Sequence, residues 1–163
     1  MESKQTINIV FAGLGGQGVL KSSDICAEAA FRAGRDVKKA EIHGMSQRGG
    51  SVTSDVRIGE KIHSPMVPEG EADFLVVLSG DQVEVVRHQL KSNGVLISAE
   101  AIDPKRLPHP KSLNVGMLGA LSTHLQIDAS DWMDAIHANL PGKVHQVNEE
   151  AFALGQEIAR SAD

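Results

Sequence analysis

A run of glycines near the amino terminus is the first place where the backbone of this chain is suited to bind a ligand. The segment Gly13-Leu14-Gly15-Gly16-Gln17-Gly18 has the spacing G-x-G-x-x-G. Glycine permits left-handed backbone conformations and close approach of a ligand, and a helix that follows directs free N–H groups at a phosphate. The spacing predicts a phosphate-binding turn. The alternative is a tight turn that packs a helix on a strand and binds nothing.

Two further residues bear on which ligand this turn would bind. Gln17 adds a side-chain amide that can hydrogen-bond a phosphate, a substrate or a partner loop, or can simply cap the turn. Glu41 lies close to the position where a dinucleotide-binding fold carries an acidic residue for the ribose. A free-standing oxidoreductase that binds NAD or FAD is therefore one hypothesis, although Lys38 and Lys39 stand just before that glutamate.

A second segment gathers polar groups without the periodicity of a helix or a strand. Its residues are His43, Gly44, Met45, Ser46, Gln47, Arg48, Gly49, Gly50 and Ser51. Such groups are costly to bury without partners, so the loop is either exposed or satisfied by a ligand or another protein. Its place after a strand favours the crevice at the edge of the sheet, where Arg48 can clamp a carboxylate or a phosphate. The alternative is a capping network within its own domain.

Histidine and cysteine offer little metal or redox chemistry here. His43 has no acidic neighbour except Glu41, so a structural role is expected rather than catalysis. The seven histidines never have the spacing of a hydrolytic metal site. The single cysteine, Cys26, excludes an iron–sulfur cluster built from this chain's own thiolates, and its place in a predicted helix indicates an inert, packed thiol. No catalytic residue is assigned, and redox centres are expected in another chain.

The elements that must position these segments alternate along the chain. Apolar runs predict strands at residues 7–12, 35–41, 74–78 and 94–98, the second of them at an end or an edge of the sheet. Residues 51–58 are expected to form a hairpin with residues 61–63. Helices are predicted at residues 18–33, 82–90, 116–125, 130–139 and 149–159, with Ser130 and Asn148 as caps. This order predicts a Rossmann-like α/β fold with a mixed, mainly parallel sheet covered by helices on both faces.

The composition limits the partners and the compartment. The 163 residues include 21 acidic and 16 basic side chains, and the net charge of −5 argues against nucleic acid as a partner. The apolar run at residues 7–12 is too short for a signal-peptide core or a membrane span. We therefore expect a cytoplasmic protein that binds neither nucleic acid nor membrane.

The turn and the polar loop together carry a family resemblance. Residues 13–18 and the string EIHGMSQRGGSV at residues 41–52 resemble the signature of the gamma-type domain of 2-oxoacid:ferredoxin oxidoreductases. The indolepyruvate branch is similar in three more stretches, at residues 64–73, 114–120 and 147–155. The resemblance spans residues 7–158, which is nearly the whole chain.

The resemblance implies the small subunit of a complex that oxidatively decarboxylates a 2-oxoacid, such as an aryl pyruvate, to an acyl-CoA. Ferredoxin would accept the electrons, and coenzyme A would be a co-substrate. Thiamine diphosphate and the iron–sulfur clusters would belong to a large partner subunit, so this chain would be inactive alone. The single cysteine and the lack of a G-D-G thiamine motif agree with that division. Residues 1–163 would form one pyruvate/ketoisovalerate oxidoreductase gamma-type catalytic domain.

The same resemblance implies which residues face the partner. They are Gly13, Gly15, Gly16, Gln17 and Gly18 in the turn, and His43, Met45, Ser46, Gln47, Arg48 and Gly49 in the loop. These segments would border the path of coenzyme A or of the substrate. A non-catalytic scaffold that only stabilises the large subunit is the alternative, and a homodimer of the isolated chain is a further option.

Overall fold

The strand that leads into the glycine-rich turn lies in the middle of a five-stranded sheet. The computed structural model describes residues 5–43 and 50–162, and within them the strand order is β2-β3-β1-β4-β5. The strands are β1 (Ile7–Leu14), β2 (Asp36–His43), β3 (Ser51–Gly59), β4 (Ala72–Val77) and β5 (Leu90–Ser98). The six inner residues of β1 are all buried, as expected for a strand covered on both faces.

The strands pair in both directions. β1 runs parallel to β4, and β4 runs parallel to β5, whereas β3 runs antiparallel to both β1 and β2. The predicted α/β fold with a mixed sheet is confirmed. The antiparallel half follows from chain length, because the few residues that join β2 to β3 allow a return to an antiparallel neighbour but no crossover. The predicted edge position of β2 is also confirmed.

Most of the helices cover one face of the sheet. The helices are α1 (Val19–Arg32), α2 (Val83–Val86), α3 (Leu113–Ser122), α4 (Ala129–Asn139) and α5 (His145–Ser161). α1, α3, α4 and α5 pack with Ile9 and Phe11 of β1 in one core. The opposite face, with Val10 and Ala12, is covered by the four-residue α2 and the segment around Val67. Both faces of the sheet are therefore covered, as predicted, but one carries four helices and the other only α2 and the segment around Val67.

The predicted hairpin between residues 51–58 and residues 61–63 is wrong. β3 pairs along its length with β1 and β2 instead. Ile62 is buried, and its N–H donates to the Asp36 carboxylate at 2.7 Å, so this segment is held by a side chain rather than by a ladder. β3 is an inner strand because Val56 and Ile58 complete the core under α1.

Helix ends differ from the sequence prediction. The helix expected at residues 82–90 contracts to α2, with a single 3-10 turn on each side. The residues at the caps are Asp128 for α4 and Val144 for α5, so Ser130 and Asn148 lie inside the helices. Asn148 donates its Nδ2 to the Val144 carbonyl at 2.8 Å, one turn back. Within residues 5–43 and 50–162, no helix is both long and apolar enough to cross a bilayer.

Candidate functional site

The glycine-rich turn joins the carboxyl end of β1 to the amino end of α1, as predicted. Gly16 and Gly18 both have left-handed backbones, with φ of 89° and 83°. Gly18 is the cap residue of α1, and its left-handed conformation turns the chain into the helix. The Gly15 N–H donates to the Gly50 carbonyl at 2.9 Å, so the turn is tied to the end of the polar loop.

The glycines of the turn meet different surroundings. A Cβ at Gly18 would lie 2.5 Å from Nδ2 of Asn114, and one at Gly13 would lie 2.8 Å from Oε1 of Gln17. At Gly16 no described atom lies within 4 Å of that position. A Cβ at Gly13 or Gly18 would therefore displace a packed neighbour, whereas the described residues leave space beside Gly16.

Gln17 caps the turn with its side chain. Its Oε1 accepts a hydrogen bond from the Leu14 N–H at 2.7 Å, and its own N–H donates to the Leu14 carbonyl at 3.2 Å. Both bonds close the turn on itself. The geometry favours capping over a contact of Gln17 with a phosphate, a substrate or a partner loop.

The first turn of α1 contains backbone donors that have no acceptor inside the helix. The first amide that bonds within the helix is that of Ser22, which donates to the Gly18 carbonyl at 3.0 Å. The N–H groups of Val19, Leu20 and Lys21 precede it and have no acceptor inside the helix, and the glycine cap has no side chain to offer them. These amides and the positive end of the helix dipole favour an anion at this position.

Three cavities follow one another along this edge of the sheet. The first, of about 430 Å³, lies between Gly16, Lys21 and Val52, and the second, of about 490 Å³, lies between the turn and Lys111. The third, of about 380 Å³, lies between Lys111 and Lys143 at the amino ends of α3 and α5. Among the described residues that line them there is no Asp or Glu. The cavities therefore form a cationic edge in a chain with an acidic net charge.

Three residues that the sequence analysis did not single out shape this edge. Asn114 donates to the Gly18 carbonyl at 3.3 Å, and its own carbonyl accepts from the Ser22 hydroxyl at 3.3 Å, so α3 holds the amino end of α1 in place. Lys21 was detectable, because it lies three residues after the last glycine, in the first helical turn. Lys111 and Asn114 carry no local signal, because only the fold brings them to the turn.

Glu41 does not occupy the place that a dinucleotide requires. In the dinucleotide-binding fold the second strand lies next to the first. Here β3 separates β2 from β1, so Glu41 lies one strand further from the turn. Its carboxylate is also engaged, because Nζ of Lys39 donates to it at 3.0 Å and bonds Asp24 as well. Burial lowers the pKa of Lys39, but these two carboxylates outweigh that effect and raise the pKa above its usual value.

The cysteine and the acidic residues do not suit a metal centre. Cys26 is fully buried, and burial raises the pKa of its thiol to about 12, so the thiolate that a metal needs is disfavoured. Within the part of the chain that the structure describes, no group of three or more histidine, cysteine, aspartate or glutamate side chains is placed to hold a metal ion.

The polar loop lies largely outside the described residues. His43 is the last residue of β2, opposite Val52, and its side chain is outside the description, as are Met45, Ser46, Gln47, Arg48 and Gly49. The flanking residues Gly50 and Ser51 lie beside the turn and α2: Ser51 donates its hydroxyl to Oε1 of Gln82 at 2.7 Å. The carboxyl-terminal end of the loop is thus fixed beside the glycine-rich turn.

Comparison with known sequences shows a family match over nearly the whole chain. Residues 8–158 match the family described as "Pyruvate ferredoxin/flavodoxin oxidoreductase". A curated relative from Thermococcus kodakarensis, "Indolepyruvate oxidoreductase subunit IorB", is 35% identical over 94% of this chain and 96% of its own length. The resemblance inferred from the two motifs is confirmed.

Two solved structures share the fold. The keto/oxoacid ferredoxin oxidoreductase gamma subunit from Geobacter sulfurreducens has a TM-score of 0.80 at 23% identity, with 97% of this chain and 98% of that chain covered. The 2-oxoglutarate:ferredoxin oxidoreductase from Magnetococcus marinus, solved with 2-oxoglutarate, coenzyme A and succinyl-CoA bound, has a TM-score of 0.84 at 22% identity. The match covers 97% of this chain and 32% of that longer chain.

Proposed function

This chain belongs to the pyruvate ferredoxin/flavodoxin oxidoreductase family, and from that membership we propose that it acts as the small subunit of a 2-oxoacid:ferredoxin oxidoreductase complex. The complex would convert a 2-oxoacid, coenzyme A and oxidised ferredoxin to an acyl-CoA, carbon dioxide and reduced ferredoxin. Indolepyruvate or another aryl pyruvate is the proposed substrate, because the relative from Thermococcus kodakarensis is an indolepyruvate oxidoreductase subunit. A cytoplasmic location is part of this proposal.

We assign the redox chemistry to a larger partner subunit. Thiamine diphosphate would supply the carbanion chemistry there, and iron–sulfur clusters would carry the electrons. The buried, protonated thiol of Cys26 does not fit a cluster ligand in this chain. The chain's own contribution would then be to bind and orient a substrate at the seam between the subunits, and it would be inactive alone.

The substrate that the cationic edge fits best is coenzyme A. Its diphosphate would lie against Gly16 and the first-turn amides of α1, between Lys21 and Lys111. The single observation that carries this proposal is the space that the described residues leave at Gly16, beside a helix start whose first amides have no acceptor inside the helix. The three consecutive cavities suit a long molecule with phosphates at two places. An aryl pyruvate carries one carboxylate and would use this edge less fully.

The polar loop is proposed to complete the seam. Its carboxyl-terminal end, at Gly50 and Ser51, is held beside the turn, and Arg48 supplies a planar guanidinium within the same short segment of sequence. We propose that Arg48 faces the partner's active region and binds a phosphate or a carboxylate there.

The experiment is steady-state kinetics of the complex reconstituted from this chain and its large subunit. Lys21→Met and Lys111→Met should each raise the KM for coenzyme A about tenfold, which corresponds to about 1.4 kcal/mol of lost binding. The KM for the 2-oxoacid should stay unchanged. Lys105→Met is the matched control, because Lys105 is an exposed lysine that lines none of the three cavities.

Two outcomes would contradict the proposal in different ways. If the lysine variants leave both KM values unchanged in a fully assembled complex, coenzyme A does not bind here and the scaffold alternative gains support. If the KM for the 2-oxoacid rises instead, the edge binds the keto acid. Calorimetry of the isolated chain with NAD and FAD tests the dinucleotide hypothesis separately, and we expect no saturable binding.

A further inference from the structure

Strand β2 offers an open edge on the side of the sheet away from the turn. It is the outermost strand, and β3 pairs with one of its sides along all eight residues. No described strand pairs with its outer side. An unpaired strand edge presents alternating N–H and C=O groups that another strand can bond.

We propose that a second copy of this chain pairs with this edge, with the two β2 strands antiparallel about a two-fold axis through Ala40. Such an axis stands perpendicular to the sheet, so one residue of β2 must lie opposite its own copy. An axis at Lys38, Lys39 or Glu41 would place like charges opposite each other, which is unfavourable. Ala40 is the one position among these four central residues that avoids this.

The register through Ala40 also creates favourable pairs. It places Lys39 of each copy opposite Glu41 of the other, so that two ion pairs form across the seam. Within one chain Lys39 already bonds Asp24 and Glu41, and an ammonium group has three donors, so it can add the second glutamate. On the opposite face Lys38 lies across from Ile42, whose exposed side chain the lysine stem can cover. The edge is therefore complementary to itself in charge.

The helix above the seam carries an exposed aromatic ring. The pairing of β2 with β3 places Lys39 and Glu41 on the α1 side of the sheet, where Lys39 bonds Asp24. Phe31 lies seven residues further along α1 on the same stripe, and 71% of it is exposed. The two β3 strands would lie about 14 Å apart across the seam, so helices above them would leave a gap for large side chains. Phe31 from each copy is positioned to fill it.

The geometry leaves the cationic edge of each copy accessible. In this register His43 lies opposite Val37 of the other copy, so the carboxyl ends of the two β2 strands lie at opposite ends of the seam, about 20 Å apart. Each copy then presents its cationic edge to its own large subunit. The resulting assembly would contain two copies of each subunit. This inference does not depend on the identity of the ligand at the cationic edge.

Sedimentation of the isolated chain and of two charge-reversal variants tests the proposal. The unaltered chain should sediment as a dimer of twice its 17.4 kDa mass. Lys39→Glu alone and Glu41→Lys alone should each sediment as monomers, because each places like charges across the seam twice. An equimolar mixture of the two variants should sediment as a dimer, since each of the two seam pairs then joins a glutamate of one chain to a lysine of the other. Recovery in the mixture also shows that both variants fold.

Substitutions of two exposed apolar residues supply a second test with a matched control. Phe31→Asp should weaken dimerisation at least tenfold, whereas Val85→Asp should not, because Val85 is a similarly exposed residue of α2, at 54%, away from β2. A monomeric unaltered chain at about 100 μM would overturn the proposal. So would single charge variants that dimerise as the unaltered chain does. The self-pairing is also refuted if the unaltered chain is monomeric and Lys39→Glu abolishes its binding to the large subunit. In that case the large subunit binds the edge of β2.

Discussion

Glycines at the amino end of α1 and glycines where α3 crosses α5 meet opposite surroundings. At Gly16 no described atom lies within 4 Å of a Cβ, and the residue is left-handed. At Gly119 and Gly155 a Cβ would overlap backbone atoms of the facing helix, namely the carbonyl oxygens of Phe152 and Gly116. Gly16 is the glycine at which we propose that a ligand binds, whereas Gly119 and Gly155 let two helices touch. A glycine in the sequence therefore does not by itself indicate a ligand site, and the atoms around it must be known.

The largest effect is expected at the helix crossing. Gly155→Ala places a methyl group onto the backbone of α3, and relief of this overlap would separate α5 from α3, which is buried between the sheet and α5. We expect the free energy of unfolding to fall by about 3 kcal/mol. Chemical denaturation measures it. Gly142→Ala is the control, because no described atom lies within 4 Å there. If Gly155→Ala leaves the stability unchanged, close packing does not require a glycine at the helix crossing.

The second prediction separates backbone strain from ligand binding. Gly16 and Gly34 both have left-handed backbones, with φ of 89° and 86°, and neither has a described atom within 4 Å of a Cβ. Replacing either by alanine should cost about 1–2 kcal/mol of folding stability. Only Gly16→Ala should also raise the KM for coenzyme A in the reconstituted complex. Equal kinetics for the two variants would mean that the open space at Gly16 holds nothing.

The third prediction extends the ligand half of the comparison to the polar loop. Arg48→Ala should lower turnover of the assembled complex about tenfold, because a lost charge-assisted contact costs roughly 1.4 kcal/mol. Circular dichroism and co-purification should show that the variant chain still folds and assembles. Unchanged turnover with unchanged assembly would exclude Arg48 from the site.

The smallest effect is expected at Gln17. Gln17→Ala removes the hydrogen bond to the Leu14 N–H, so stability should fall by about 1 kcal/mol. The KM for coenzyme A should rise by less than the rise for Lys21→Met, since the side chain closes the turn rather than contacting the ligand. Thermal unfolding and kinetics of the same preparation measure both quantities. A larger change in KM than for Lys21→Met would reassign Gln17 to ligand binding.

The sequence predicted the elements around the turn closely. The first strand and helix were expected at residues 7–12 and 18–33 and are observed as β1 and α1 within two residues. Those predictions succeed because the hydrophobic period and the glycines act locally. The hairpin after β3 was wrong, because the partner of β3 is chosen by core packing against α1 and not by the nearest segment of chain.

The site was predicted in part. The turn was found from its spacing, whereas Lys111 and Asn114 were not, since more than ninety residues separate them from Gly18 and no local pattern marks them. The role of Gln17 stayed open until its bond to Leu14 was seen. His43 and the residues after it remain predictions from the sequence.

The sequence by itself determined the alternation of strands and helices, the position of the glycine turn and the family, because each depends on residue types at fixed short spacing. The tertiary structure alone decided that β3 lies between β1 and β2, which removes Glu41 from the turn. It also decided that the amino ends of α1, α3 and α5 bring three lysines to one edge. The physical reason is that packing of the core fixes which distant segments meet, and spacing along the chain carries no record of that choice.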